Sequence, residues 1–266
     1  MNDVVTFVDS GGVKLAVEVQ GEGEPVTVLA HGLSGSRADV ALFAPFLPGT
    51  KVMFDFRGHG DSDRPGDGAY ALDLFAQDVD AVATTFGATA FAGISLGTAA
   101  ALRLLARRPD RFARLVFLLP ARLDRSMSAH AQLMSLADLL ERQGVETVAE
   151  RVLEEEDRAG RFTDFPAGRD FRRGVVLRMN REGVPRAIRE VLAEGPLQDE
   201  GDLLARIEAP ALVIGQRGDP IHAAAVAEDL AETLPNAELL LFDDQHALMR
   251  RIPEVVGRVA RFLAGT

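Results

Sequence analysis

The chain has 266 residues, enough for one large α/β domain with an insertion, and its hydrophobic (47%) and charged (26%) fractions are those of a globular protein. A formal net charge of -11 argues against nucleic acid or an anionic membrane surface as a partner. Cysteine is absent from the sequence, which excludes disulfides, thiolate zinc sites and a cysteine nucleophile. The first residues lack a basic segment followed by a long apolar one, and no stretch approaches the roughly 18 apolar residues that span a bilayer. We therefore expect a soluble, cytoplasmic protein.

The first 120 residues alternate strand-like and helix-like stretches. A hairpin is predicted between Val4 and Val19, with its turn at Gly11 and Gly12. Buried strands are then predicted at residues 26–30, 51–56, 88–92 and 114–119, and helices at residues 71–85 and 98–106. Strands that alternate with helices are typical of a mostly parallel sheet covered on both faces.

The pattern changes between residues 121 and 207, where strand-like runs give way to four amphipathic helix candidates. These are centred near Leu136, Val148, Val175 and Ile188, and Gly144, Gly160, Gly183 and Gly195 stand where helix C-caps are expected. The sheet pattern then resumes, with strands at 211–215 and 238–242 and helices at 223–234 and 253–263. We predict an α/β fold whose core comprises residues 1–120 and 208–266, with a helical lid inserted at residues 121–207.

A Gly-x-Ser-x-Gly motif lies between the predicted strand 88–92 and the helix that follows it. Its residues are Gly93, Ile94, Ser95, Leu96 and Gly97. This context is typical of a nucleophile elbow, a tight strand-to-helix turn that projects a serine hydroxyl from the sheet edge. Glycines flank the serine because a Cβ would collide where the strand and helix backbones approach. The motif predicts Ser95 as a catalytic nucleophile.

A serine nucleophile needs a base, and five histidines compete for this role. His31 and His59 follow early strands, where loop hydrogen bonding is the commoner role, and His130 falls in a predicted lid helix. His222 is interpreted as a pocket residue or a cap. His246 follows the last strand and completes the chain order nucleophile, acid, base, so His246 is the predicted base.

The orienting acid is predicted to be Asp219, which follows the strand that immediately precedes the His246 strand. Parallel strands bring both loops to one edge of the sheet, so the carboxylate can reach the imidazole. Asp124, which follows the strand at 114–119, is the alternative. Asp243 and Asp244 are too near His246 on the same loop to be preferred.

The developing oxyanion needs two preorganised N–H donors. The amide of Leu96, directly after the nucleophile, is one predicted donor. The loop after the first parallel strand supplies the other, with Gly32 letting the backbone bend so that the Leu33 amide faces the substrate. His31 is expected to support this loop rather than to take part in the chemistry.

Taken together, these residues resemble the α/β-hydrolase fold superfamily on both sides of the predicted lid. The resemblance rests on His31-Gly32, Asp55-x-Arg57-Gly58-His59-Gly60-x-Ser62, Gly93-x-Ser95-x-Gly97, Gly215-x-x-Gly218-Asp219 and His246. It implies a mostly parallel central sheet flanked by helices, with an inserted helical lid. Serine at position 95 separates the chain from the similar epoxide hydrolases and haloalkane dehalogenases, which place aspartate there. Pro220, directly after Asp219, departs from relatives that keep several residues between the acid and the next proline.

The resemblance implies a serine hydrolase that cleaves a carboxylic ester, lactone or thioester of a small to medium apolar substrate through an acyl-enzyme. Neither a cofactor nor a metal is expected, and the expected partner is a small-molecule substrate, with homo-oligomer formation left open. A C–C bond hydrolase, a cofactor-free haloperoxidase-like enzyme and a small-molecule receptor on the same scaffold are the alternatives. The arginines between Arg161 and Arg189 are interpreted as solvated helix faces rather than as an anion site.

Overall fold

The computed structural model describes residues 5–121, 127–163, 166–194 and 200–266, and within these ranges eight strands form one sheet. The strands are β1 (Thr6–Ser10), β2 (Val13–Gln20), β3 (Val26–Ala30), β4 (Thr50–Phe54), β5 (Ala90–Ser95), β6 (Arg114–Pro120), β7 (Ala211–Gln216) and β8 (Ala237–Phe242). Their order in the sheet is β1-β2-β4-β3-β5-β6-β7-β8. Strand β2 pairs antiparallel with β1 and with β4, and every later pairing is parallel. The loops that follow β3, β5, β7 and β8 therefore meet at one edge of the sheet.

The predicted strands are confirmed in their order along the chain, with shifts at β4 and β5. Strand β5 runs from Ala90 to Ser95 rather than over residues 88–92, so Ser95 is its last residue. Strand β4 ends at Phe54 rather than Phe56. The backbone amide of Asp55 still donates to the carbonyl oxygen of Ala16 in β2 at 2.9 Å, and the groups that follow bond to loops. The backbone amide of Phe56 donates to the Nε2 atom of His31 at 3.0 Å. The Asp55 carboxylate accepts the amides of Arg37 (2.6 Å) and Asp61 (3.0 Å).

Helices cover both faces of the sheet. They are α1 (Arg37–Ala41), α2 (Leu72–Thr85), α3 (Leu96–Leu105), α4 (Met127–Arg158), α5 (Ala167–Leu177), α6 (Gly183–Ala193), α7 (Glu200–Leu204), α8 (Ala224–Thr233), α9 (Ala247–Arg250) and α10 (Ile252–Ala264), with a short 3₁₀ turn at Ala44–Phe46. One buried apolar cluster holds side chains of α2, α3 and α8, such as Phe75, Leu102 and Leu230. The other holds side chains of α1 and α10, such as Val40 and Val259. None of the described helices is long and apolar enough to cross a membrane.

The described residues between β6 and β7 include helices α4 to α7, and we refer to residues 127–163, 166–194 and 200–204 as the helical insertion. The predicted helix break at Gly144 is confirmed, because this glycine has a φ of 82° and interrupts α4. Gly183 was predicted to end a helix, and that prediction is wrong: Gly183 is the first residue of α6. A Cβ at this position would collide with the carbonyl oxygen of Gly58, so the glycine serves a close approach between the insertion and the core. Gly195, the last predicted cap, lies outside the described residues.

Two carboxylates of the insertion bind backbone amides of the core. Glu190 accepts hydrogen bonds from the amides of Gly68 (2.7 Å) and Tyr70 (2.8 Å). Glu194 accepts the amide of Leu72 at 2.7 Å and also pairs with Arg103 at 3.0 Å. These contacts attach α6 to the segment that leads into α2.

Candidate active site

Ser95 occupies a strained turn between β5 and α3. Its backbone has φ 52° and ψ -111°, which a non-glycine residue seldom adopts. The turn is tight enough that a Cβ at Gly97 would lie 2.6 Å from the carbonyl oxygen of Ala30. Across the sheet the register shifts between Ile94 and Ser95, and Leu119 of the neighbouring strand has a φ of 44°. The sequence-predicted elbow is thus present as a strand–turn–helix with a half-buried serine.

A buried threonine one turn into α3 braces the elbow. The hydroxyl of Thr98 donates to the carbonyl oxygen of Ser95 at 2.6 Å. The same oxygen of Thr98 accepts the backbone amide of Ala121 at 3.2 Å. The hydroxyl therefore links the serine to the segment directly after β6.

The imidazole of His222 lies between Ser95 and Asp219. Its Nε2 atom is 2.9 Å from the Oγ of Ser95, and its Nδ1 atom is 3.3 Å from the Oδ2 of Asp219. A neutral imidazole with its proton on Nδ1 donates to the carboxylate and leaves Nε2 free to accept the serine proton. Serine, imidazole and carboxylate are thus arranged in series, in the order that a catalytic triad has.

The carboxylate of Asp219 makes four hydrogen bonds, including the one to the His222 ring. Its Oδ1 atom accepts the amides of Ile221 (2.8 Å) and His222 (2.9 Å), and its Oδ2 atom accepts the side-chain amide of Gln216 at 2.8 Å and faces the imidazole. Burial raises the pKa of this carboxyl, but the hydrogen bonds and the charge interaction with His222 outweigh it, so the pKa of Asp219 lies well below its usual range. The carboxylate is therefore ionised at neutral pH.

His246 lies on the loop after β8 and precedes α9 directly. Its backbone amide donates to Asp244 at 3.0 Å. Its buried Nε2 atom has no hydrogen-bond partner among the described residues. The structure places His246 on the same sheet edge as Ser95 but brings His222, and not His246, into hydrogen-bond contact with the serine.

Two buried histidines hold the loop after β3. His31 accepts the Phe56 amide at Nε2, so its Nδ1–H donates to the carbonyl oxygen of Gly32 at 2.7 Å. Burial, with His59 close by, lowers the pKa of His31 well below its ordinary value. His59 lies with Nε2 2.6 Å from the carbonyl oxygen of Leu33. Gly32 itself lies beside Ser95, since a Cβ there would be 3.5 Å from the Cβ of Ser95.

Several of the predicted site residues therefore meet around one serine. Asp219 and the loop of His31, Gly32 and Leu33 converge on Ser95, and Leu96 begins α3 directly after it. Sequence reasoning weighed His222 only as a pocket residue or a cap, although its spacing of three from Asp219 is the pattern that makes the contact possible. Asp124, the alternative acid, lies outside the described residues. Among the described side chains, no group of three or more His, Asp or Glu is arranged to hold a metal ion.

Known proteins resemble this chain in sequence and in fold. A model of the alpha/beta hydrolase fold family matches residues 25–249. The AB hydrolase superfamily protein YisY of Bacillus subtilis is 30% identical over 244 residues, which covers 86% of this chain and 87% of that protein. A pimeloyl-[acyl-carrier protein] methyl ester esterase of Neisseria meningitidis is 27% identical over 228 residues, or 81% of this chain and 83% of that protein. A thermophilic esterase from Thermogutta terrifontis superposes with a TM-score of 0.80 over 98% of both chains at 22% identity. The chain belongs to the α/β-hydrolase family.

Proposed function

We propose that this α/β-hydrolase is a serine esterase that works through an acyl-enzyme on Ser95. The observation that carries the proposal is the hydrogen-bond distance of 2.9 Å between the Oγ of Ser95 and the Nε2 of His222, with Asp219 on the far side of the same ring. A hydroxyl is a weak nucleophile until a neighbouring base removes its proton. The relative from Neisseria meningitidis, named a methyl ester esterase, supports an ester as the bond that is cleaved.

In the first half of the proposed reaction, the hydroxyl oxygen of Ser95 attacks the carbonyl carbon of the ester while its proton passes to the imidazole. The resulting imidazolium is stabilised by the carboxylate of Asp219. As the tetrahedral intermediate collapses, the bond to the alcohol oxygen breaks, and the imidazolium returns its proton to that oxygen. The acyl group stays on Ser95, and a water molecule activated by the same imidazole then releases it as a carboxylic acid.

Two histidines are candidates for this base. His222 holds the contact in the structure, whereas the sequence pattern predicts His246, which lies on the neighbouring loop of the same sheet edge. The proposal for Ser95 and Asp219 stands with either base, and substitution of each histidine in turn separates the two.

For the oxyanion we propose the backbone amides of Leu33 and Leu96. The Leu96 amide stands at the amino end of α3, where the first N–H groups have no partner within the helix. His31 lies within hydrogen-bond distance of the carbonyl oxygen of Gly32, and His59 within hydrogen-bond distance of that of Leu33. These contacts hold the loop in one orientation. Donors that are already oriented cost no reorganisation as charge develops on the substrate oxygen.

We further propose that residues 121–207 act as a lid over the site and that the substrate is a carboxylic ester, lactone or thioester of small to medium size and apolar character. The support is the attachment of α6 to the core through Glu190 and Glu194 and the apolar side chains that helices α4 and α6 contribute to the buried cluster.

Labelling with a fluorophosphonate tests the proposal, because this reagent phosphonylates an activated serine. We expect one adduct, mapped to Ser95 by peptide mass spectrometry, together with hydrolysis of p-nitrophenyl esters of short and medium chain length. Ser95→Ala should lose the adduct and lower turnover by several orders of magnitude. Ser135→Ala, a change at an exposed serine of α4, is the matched control and should keep both. An adduct on another residue would overturn the assignment of Ser95.

A further inference from the structure

Gln216, the last residue of β7, joins the loop that carries Asp219 to the loop that carries His246. Its side chain is only 3% exposed. The Nε2 atom donates to the Oδ2 of Asp219 at 2.8 Å, and the Oε1 atom accepts the backbone amide of Leu248 at 3.3 Å. Only one orientation of the side-chain amide satisfies both contacts, because a carboxylate needs a donor and a backbone N–H needs an acceptor.

The first contact acts on the proposed catalytic acid. Gln216 donates to Oδ2, the oxygen of Asp219 that faces the imidazole of His222. A donor on this oxygen fixes the plane of the carboxylate, and it also lowers the affinity of the carboxylate for a proton. Asp219 can then accept a hydrogen bond from the imidazole without taking the proton from it.

The second contact acts on the histidine loop. Leu248 is the second residue of α9, so its amide has no acceptor within the helix and needs one from outside. Gln216 supplies that acceptor from the neighbouring strand. The backbone two residues beyond His246 is thereby tied to the same side chain that holds Asp219.

We propose that Gln216 is a positioning residue that holds the acid and the histidine loops in register through its neutral amide. The inference rests on the proposed serine hydrolase function, but it does not depend on which histidine is the base, because Gln216 contacts both Asp219, which bonds to His222, and the backbone close to His246. An acidic side chain at this position disrupts the two hydrogen bonds to a degree that depends on pH. An apolar side chain disrupts them equally at every pH.

Gln216→Glu is the informative variant, since it keeps the shape but replaces the donor by an acid. A glutamate beside the Asp219 carboxylate has a raised pKa, because the two negative charges repel each other. It therefore takes up a proton as pH falls from 8 to 6, and the protonated side chain can then donate in place of the amide. We expect kcat to fall at least tenfold at pH 8 with KM changed less than threefold. The ratio of variant to wild-type kcat/KM should rise at least threefold between pH 8 and pH 6.

Two further variants exclude simpler explanations. Gln216→Met removes both hydrogen bonds without adding charge, and its activity should be low by the same factor at both pH values. Gln245→Glu adds the same charge to the exposed neighbour of His246 and should show no such change in the ratio.

The titratable groups on the two loops are Asp219, His222, Asp243, Asp244 and His246. Asp243 is paired with Arg217, and Asp244 is paired with Arg250.

A readout without turnover separates this inference from the function itself. The fluorophosphonate reacts once with Ser95, so the rate constant of labelling reports the reactivity of the serine. In Gln216→Glu this rate constant, relative to that of wild type, should rise at least threefold from pH 8 to pH 6. Failure of wild-type protein to react with fluorophosphonate at Ser95 would overturn the proposed function. Normal labelling of the wild-type protein, with ratios of activity and of labelling rate in Gln216→Glu that do not change with pH, would overturn the role of Gln216 alone.

Discussion

The hydroxyl of Thr98 donates to the carbonyl oxygen of Ser95 and accepts the amide of Ala121. One buried side chain therefore ties the strained turn at Ser95 to the segment directly after β6. The φ of 52° at Ser95 persists because surrounding contacts of this kind hold the turn in place.

Replacing Thr98 by valine keeps the shape of the side chain and removes both hydrogen bonds. The amide of Ala121 and the carbonyl of Ser95 are then left without this partner, at a cost of about 1–3 kcal/mol in the free energy of unfolding. We expect a lower kcat with a similar KM, because the change disturbs the orientation of Ser95 and leaves the contacts that bind the substrate intact. Thr98→Ser retains the hydroxyl and should recover most of the activity. Urea denaturation and ester kinetics measure both effects, and full activity in Thr98→Val would contradict this role.

His222→Gln and His246→Gln, compared in one assay, identify the base. A single histidine moves the serine proton, so one variant should lose about a thousandfold or more of kcat and the other should retain most of it. Loss in His222→Gln confirms the contact seen in the structure as the reactive one. Loss of activity in His246→Gln confirms the prediction from sequence, and it means that the His246 ring takes the place of the His222 ring beside Ser95 during the reaction. Equal, small losses in both variants would contradict a histidine base.

Asp219→Asn tests the orienting acid against Asp124→Asn. Asparagine is nearly the same size but favours the wrong imidazole tautomer, and the equivalent change lowers kcat about ten-thousandfold in the serine proteases. We expect Asp219→Asn to lower kcat a thousandfold or more with a much smaller change in KM, and Asp124→Asn to change little. A damaging Asp124→Asn beside a nearly silent Asp219→Asn would assign the acid to the earlier strand.

The low pKa of Asp219 also predicts how stability depends on pH. The pKa of this carboxyl is lower in the folded chain than the value of about 3.9 for an unfolded one, so the ionised form stabilises the fold at neutral pH. This contribution is lost as pH falls below about 4 towards the folded pKa. The difference in unfolding free energy between wild type and Asp219→Asn should therefore shrink between pH 7 and pH 3.5, measured by urea denaturation. The exposed Asp110→Asn serves as the control and should show little difference at either pH.

The double variant Glu190→Ala/Glu194→Ala tests the proposed lid. Both carboxylates bind core amides, so their removal should loosen α6 from the core without touching Ser95. We expect fluorophosphonate labelling to persist and the preference among ester chain lengths to weaken. Glu182→Ala, at an exposed glutamate directly before α6, is the matched control. An unchanged preference in the double variant would argue that the insertion does not shape the substrate site.

Local sequence patterns predicted the parts of this protein that local chemistry determines. Apolar runs located the strands, and the Gly-x-Ser-x-Gly motif located the elbow, because a tight turn between strand and helix needs small residues on either side of Ser95. Asp219 was predicted from its place after β7, and its carboxylate lies at the sheet edge, on the side of the His222 ring opposite Ser95. These inferences need only the order of the elements along the chain.

Other features depend on contacts between distant segments and were not visible in the sequence. Gly183 has the appearance of a helix end, but its lack of a side chain serves the approach of α6 to Gly58. The contact of His222 with Ser95 spans 127 positions and depends on how the loop after Asp219 turns. Gln216 carries no motif, and its two hydrogen bonds become apparent only when β7 and the loop after β8 lie side by side.

The attachment through Glu194 also has a consequence for how the chain folds. Helix α2 follows Ala71, which offers no side-chain cap, and the amide of Leu72 at its first position is bound by a carboxylate 122 residues further along the chain. A contact this distant in sequence forms only after a long loop has closed, which slows its appearance during folding. The first turn of α2 should therefore reach its final stability late, once α6 has docked. Hydrogen exchange at the Leu72 amide would then report the arrival of the insertion rather than the formation of the helix to which the residue belongs.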